Sequence, residues 1–186
     1  MKVKDILILC CDLLEDNNLK TYFTGGTPAD SESAKADGEL LLKCYNLITD
    51  EISREYYRLT TEETFTPTNG VVSLSQFMFN PVVINTVTSL DGGEVDYKVN
   101  PVKVYVDKTV RIGYAYACPE RMIEEMSDFS FTKISKRVLA YGTITEYMLI
   151  KGMYEEAVTW RDKYRTSLYA CLSVKKVKRI KKREWF

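Results

Sequence analysis

The side chains able to do chemistry in this 186-residue sequence are carboxylates, tyrosines, lysines and cysteines, because it contains no histidine. Without an imidazole, the commonest general base near neutral pH, Ser-His-Asp and Cys-His nucleophile systems and mixed Cys/His zinc sites are excluded. Adjacent carboxylates stand at Glu62-Glu63, Glu124-Glu125 and Glu155-Glu156, and a pair facing across a cleft would serve acid/base or metal chemistry. Neighbours on a helix diverge by about 100°, so each pair reads as one solvated residue beside one at a boundary. Gly25-Gly26-Thr27 and Asp91-Gly92-Gly93 lack the spacings that cradle phosphates and read as ordinary loops. Cys10, Cys11, Cys44, Cys118 and Cys171 are scattered, with no C-x-x-C pair, and are expected to be buried thiols in a reducing compartment. Tyr56, Tyr57, Tyr114, Tyr116, Tyr141, Tyr147, Tyr154, Tyr164 and Tyr169 could stack bases, but their helical or strand spacing fits core edges and subunit contacts better. No catalytic residue, metal ligand or cofactor is assigned, and no enzyme is expected.

At 45% hydrophobic and 12% aromatic, the composition is that of a chain that folds around a core, as one domain or two small ones. The longest apolar runs, Ile6 to Cys11 and Leu40 to Leu42, fall far short of the roughly 18 to 20 residues that span a bilayer. Met1-Lys2-Val3-Lys4-Asp5 begins like a signal peptide, but Asp5, Asp12, Glu15 and Asp16 follow without a small-residue cleavage site, so an intracellular start is expected.

The elements that must position these residues follow from periodicity. Val3 to Glu15 is apolar at Val3, Ile6, Leu7, Cys10, Leu13 and Leu14, the pattern of an amphipathic helix. Asp16 to Asp37, rich in Asn, Gly, Ser and Asp, reads as a long mobile loop. A second helix is expected from about Gly38 to Leu59, with Leu41, Tyr45, Ile48, Ile52, Glu55 or Tyr56, and Leu59 on one face. From Thr64 to Tyr116 the period becomes two, over Val71-Val72, Val82 to Leu90, Val95 to Val99, Val102 to Val106 and Thr109 to Tyr116. Turns at Leu90 to Gly93, Asn100-Pro101 and Asp107-Lys108, the last tight enough for a hairpin, make an antiparallel meander the economical topology. Helical period returns weakly over Arg121 to Met126 and strongly over Ile134 to Ile150 and Met153 to Leu172. The last two are either a helical hairpin or one kinked helix, and Gly142 is a candidate close-packing point. There is no internal repeat. The plan is helix, helix, small antiparallel sheet, helix, helix, an α+β class.

The one shift in composition is Ser173 to Phe186, which holds seven of the 26 basic residues and one of the 26 acidic ones. Its net charge is +6 against −6 for residues 1–172, so a neutral total hides a polarised molecule. Such a tail suits an anionic partner. Val174, Val177 and Ile180 recur every third residue and the sequence closes on Trp185-Phe186, groups that phosphate binding would not need and that commonly anchor interfaces. The candidate docking residues are Val174, Lys175, Lys176, Val177, Lys178, Arg179, Ile180, Lys181, Lys182, Arg183, Trp185 and Phe186. The alternatives are that Val174, Val177 and Ile180 finish the preceding helix before a disordered basic end, or that the tail binds nucleic acid.

Taken in order, these patterns resemble the tailed-phage head-to-tail adaptors, the neck or tail tubular protein A type. The likeness lies in a helical pair, then Gln76 to Val87 with Asn80-Pro81 at its start, then Thr109 to Pro119 with Tyr114 and Tyr116. It continues through Ile134 to Gly142, Glu146-Tyr147, Tyr154 to Ala157 and Trp160 to Tyr164, and ends on Arg183-Glu184-Trp185. The long polar loop and the weakly patterned segment after Pro119 depart from it. The resemblance implies a helical bundle, its N-terminal helices in 1–62 and C-terminal helices in 119–172, with an inserted β-domain in 63–118 and a portal-docking arm in 173–186. It further implies a dodecameric ring of neighbouring copies beneath the portal protein, joined to a downstream tail or nozzle protein, with genomic DNA passing without sequence specificity and no membrane contact. The place implied is the virion neck, after synthesis in the host cytoplasm. The rival reading is a nucleic-acid-binding or regulatory phage protein using the basic tail.

Overall fold

The computed structural model describes residues 1–173. It is α+β, with five α-helices and two small antiparallel sheets among the described residues. Helix α1 (Val3–Leu14) buries Val3, Ile6, Leu7, Cys10 and Cys11. The chain then does not loop out as expected. Asp16 accepts a hydrogen bond from Leu19 N at 2.9 Å and starts α2 (Asn17–Thr24), which stops at Gly25 in the left-handed conformation, φ 83°. Leu19 and Phe23 are buried, an amphipathic pair that the surrounding Asn, Lys and Thr obscure in the sequence. Asp30 accepts from Ser33 N at 3.0 Å and starts α3 (Ser31–Glu51), so the second long helix begins seven residues earlier than its apolar pattern suggests. A Asn18–Asp30 pair ties the two starts together, Nδ2 donating to Asp30 O at 3.2 Å and Asp30 N to Oδ1 at 3.3 Å.

A π-helical turn, Ile52–Tyr56, ends α3, and Leu59 belongs to a strand and not to the helix. The strands are β1 (Leu59–Phe65), β2 (Val71–Ser73), β3 (Pro81–Ser89), β4 (Lys98–Val99), β5 (Lys103–Tyr105) and β6 (Val110–Tyr116). They are not a single meander: one sheet has the order β1-β6-β3 and the other β2-β5-β4. β6 lies centrally because Val110, Ile112, Gly113, Tyr114 and Ala115 are all buried, so both its faces are covered. It pairs antiparallel with β1 from Leu59↔Tyr116 to Phe65↔Val110, and with β3 through register shifts beside Val82 and Asn85. Asn100-Pro101 does turn β4 into β5, the Asn100 side chain accepting from Val102 N at 3.0 Å and Lys103 N at 2.8 Å. Asp107-Lys108 instead carries the chain from one sheet to the other. Rings of Phe65, Phe77 and Tyr114 fill the β-layer core with centroids 4.4 and 4.8 Å apart, and Phe79 stacks on Tyr116 at 4.3 Å.

Residues 117–135 return from β6 without a helix, the Arg121 to Met126 expectation included, and lead into α4 (Lys136–Ile150) and α5 (Tyr154–Leu172). The two form a hairpin about Lys151-Gly152, Gly152 having φ 76°. α4 packs against α1, α3 and α5, and a Cβ at Gly142 would lie 2.8 Å from Ile48 Cγ2 and 3.0 Å from Tyr164 Cε2. No described helix is long and apolar enough to cross a membrane. Gly142→Val should therefore lower stability by about 1–3 kcal/mol through overpacking, more than the few tenths gained in helix propensity; a thermal midpoint equal to that of the parent would contradict the contact.

Candidate functional site

The twelve tail residues proposed as a docking arm, Val174 to Phe186 without Glu184, lie outside the described residues. Among the described residues, the paired carboxylates are not brought together. Glu62 is exposed, whereas Glu63 accepts from Met78 N at 3.1 Å and from the Tyr114 hydroxyl. Glu124 pairs with Lys4 at 2.9 Å and Lys2 at 3.5 Å, while Glu125 closes a turn by accepting from Met122 N at 2.6 Å. Glu155 and Glu156 sit exposed in the first turn of α5, where they complement the helix dipole. No group of three or more Cys, Asp or Glu among the described residues is placed to hold a metal ion.

The tyrosines divide similarly. Tyr114, Tyr147 and Tyr164 are buried, Tyr57 meets Phe129 and Tyr141 meets Trp160. Tyr154 and Tyr169 stand exposed on opposite ends of α5, so no continuous platform for stacking bases results. Cys10, Cys11, Cys44 and Cys118 are buried free thiols. Burial, then the neighbouring Asp128, pushes the Cys118 thiol up to about 12, so it is a protonated donor at neutral pH and not a nucleophile.

What the fold does assemble is a set of apolar surfaces. Between α3 and residues 118–122 runs an open groove of about 670 Å³. Leu42, Leu47 and Met122 supply its apolar lining, and Leu47 and Met122 are 48% and 70% exposed. One wall is held by Asn46, whose side chain donates to Arg121 O at 3.2 Å and accepts from Arg121 N at 2.9 Å, as a strand would. The Arg121 guanidinium then forks onto Asp128, Nε at 2.7 Å and Nη2 at 2.6 Å. Cys118 N donates to Ser53 Oγ at 2.9 Å, fixing the same wall to the π-turn. A second apolar patch caps the α4–α5 hairpin at Leu149, Ile150, Met153, Tyr154 and Val158. A third covers one end of the β-layer at Val82, Val83 and Val99, with Val102 just past Pro101. Sequence reading missed all three. The signal was present in Leu149-Ile150 and Val82-Val83, adjacent apolar pairs of which only one member can face a core.

An acidic cluster lies where α3 meets α5. Glu51 accepts from the Tyr164 hydroxyl at 3.4 Å, and burial, then Glu55 and Glu146, raise its carboxyl above the usual range. Compared with models of protein families the chain matches none, and no curated protein matches it.

Two outcomes follow. Arg121→Ala leaves Asp128, 8% exposed, without its cation and should cost about 2–3 kcal/mol in urea unfolding, below the roughly 3–5 of a fully buried pair because Arg121 is partly in water; Arg121→Lys, unable to fork, should recover only part. For Glu51, a carboxyl raised in the folded state costs stability as pH rises above its unfolded value. Glu51→Gln should therefore be more stable than the parent at pH 7, with the gap closing as pH falls below the ordinary carboxylate range; a gap independent of pH would contradict it.

Proposed function

We propose that this chain is a structural virion protein, a head-to-tail adaptor that forms a ring beneath the portal of a tailed phage, joins capsid to tail and lines the DNA exit channel. The observation that carries the reading is charge polarity: a +6 segment with two terminal aromatics follows a body of −6. In this reading Ser173 to Phe186 is an arm that docks on the portal protein, its lysines and arginines steering encounter and Trp185 and Phe186 anchoring it. The acidic body suits a channel wall that must let phosphates pass without holding them. The helices around α4 are taken as the bundle and the two sheets as the inserted β-domain. The apolar patches at the hairpin tip and on the β-layer are surfaces a neighbouring copy would cover. Repetition around a ring makes weak single contacts sufficient, since each arm acts at high effective concentration once its neighbours are seated.

A basic tail also favours a second reading, in which the chain is a phage nucleic-acid-binding or regulatory protein. Salt separates the two. Seven cations on phosphates should lose about 10³- to 10⁴-fold in affinity between 50 and 200 mM salt, whereas docking anchored by Trp185 and Phe186 should keep most of its affinity. A chain ended after Ser173 should retain its circular dichroism and cooperative unfolding yet fail to co-sediment with portal rings; co-sedimentation without the arm would overturn the adaptor reading.

A further inference from the structure

The open groove beside α3 lacks an occupant among the described residues, and its walls are built rather than incidental. Asn46 of α3 fixes Arg121 against the helix and the Arg121–Asp128 fork fixes its side chain, while Leu47 and Met122 stay largely in water. Of the charges on the rim, Arg121 is taken up by Asp128 and Asp50 by Arg54 at 2.8 Å. Glu39 has only a 4.0 Å contact to Lys35, and Glu120 has no ion pair among the described residues, against a single cation, Lys43, in the same state.

The described chain ends beside the π-turn that follows α3. Tyr169, in the last turn of α5, meets Tyr56 with ring centroids 6.4 Å apart, and Tyr56 follows Asp50, at one end of the groove, by six residues. The groove extends from Asp50 to Glu39, about 17 Å along a helix rising 1.5 Å per residue. Residues 174–186 can span up to about 43 Å when extended, enough to leave α5, pass Tyr56 and run the length of the groove. Their composition matches it: apolar Val174, Val177, Ile180, Trp185 and Phe186 for Leu42, Leu47 and Met122, and seven cations beside Glu39 and Glu120.

We propose that residues 174–186 fold back onto the α3 groove of their own chain, so that the free protein holds its arm in a closed position. The groove is a latch, and any partner that takes the arm must first compete with it. This goes beyond the adaptor reading and stands without it, because groove and arm belong to one chain whatever the partner.

Amide NMR spectra of the full chain and of a chain ended after Ser173 test the latch, with the retained circular dichroism and dispersed spectrum of the shorter chain as the folding control. The full chain should show shifted resonances at residues 39–50 and 118–122, identical at low and high protein concentration. Trp185→Ala with Phe186→Ala should return those resonances to the positions of the shorter chain, and so should Leu47→Asp from the groove side. A synthetic peptide of residues 174–186 added to the shorter chain should restore the shifts. Spectra that coincide in this region with and without the arm would overturn the proposal. Shifts that grow with protein concentration would overturn it too, by placing the arm on a second copy.

Discussion

The burial of α4 on almost every side is the constraint from which the rest of the molecule follows. Val138, Leu139, Ala140, Gly142, Thr143, Ile144, Thr145 and Tyr147 are all buried, so the middle turns of this helix have little solvent face of their own and must be enclosed by others. Enclosure is possible because Gly142 lets Ile48 of α3 and Tyr164 of α5 approach to contact distance. Its buried polar groups are satisfied locally, Thr143 donating to Leu139 O and Thr145 to Tyr141 O, each at 2.8 Å. α1 closes the remaining side, with the Cys10 thiol directed at Ala140 O, 3.7 Å away. Each fully buried aliphatic or aromatic side chain is worth about 1.5–3 kcal/mol, and Tyr45, Ile6, Leu7, Leu41 and Ile48, among the largest of these, share one core with Leu139 and Ile144 of α4.

The β-layer has its own smaller core, and the segment that returns from it is fastened to the helices by hydrogen bonds. Ser53 in the π-turn receives Cys118 N, Asn46 brackets Arg121, and the start of α1 pairs along residues 122–127, Val3 N donating to Glu125 O at 3.0 Å and Lys4 N to Ile123 O at 2.9 Å. Irregular backbone between β6 and α4 is thereby satisfied without a helix. The same bonds hold open the groove and set Glu120 and Met122 on its rim. The bonds that join the sheet's return segment to the helices thus also build the groove's walls.

Much of this was legible in the residues, and the failures share a cause. α1 and α5 carry 3.6-residue patterns because each buries one face, α4 carries a denser apolar run because it is enclosed, and Val71-Val72, Val82 to Leu90 and Thr109 to Tyr116 carry period two. Gly142 was recognisable as a contact because glycine inside a strong helical pattern needs a packing reason. α2 was hidden because two buried residues in eight leave no pattern above the polar background, and its start rests on one aspartate cap. β1, Leu59-Thr60-Thr61-Glu62-Glu63-Thr64-Phe65, shows its polar face to solvent and earns its place only by pairing with β6, some fifty residues on. Pairing of that range, like the groove formed by Leu47 with Met122, depends on contacts that no local window contains.

Polarised charge, an apolar groove and exposed apolar ends are the features on which the proposed adaptor role rests. The most direct measurement of the proposed role is quantitative mass spectrometry of purified tailed-phage virions, reading the amount of this chain against the portal subunit. Copy numbers close to those of the portal subunit are predicted, and absence of the chain from the particle would contradict a structural role in the neck.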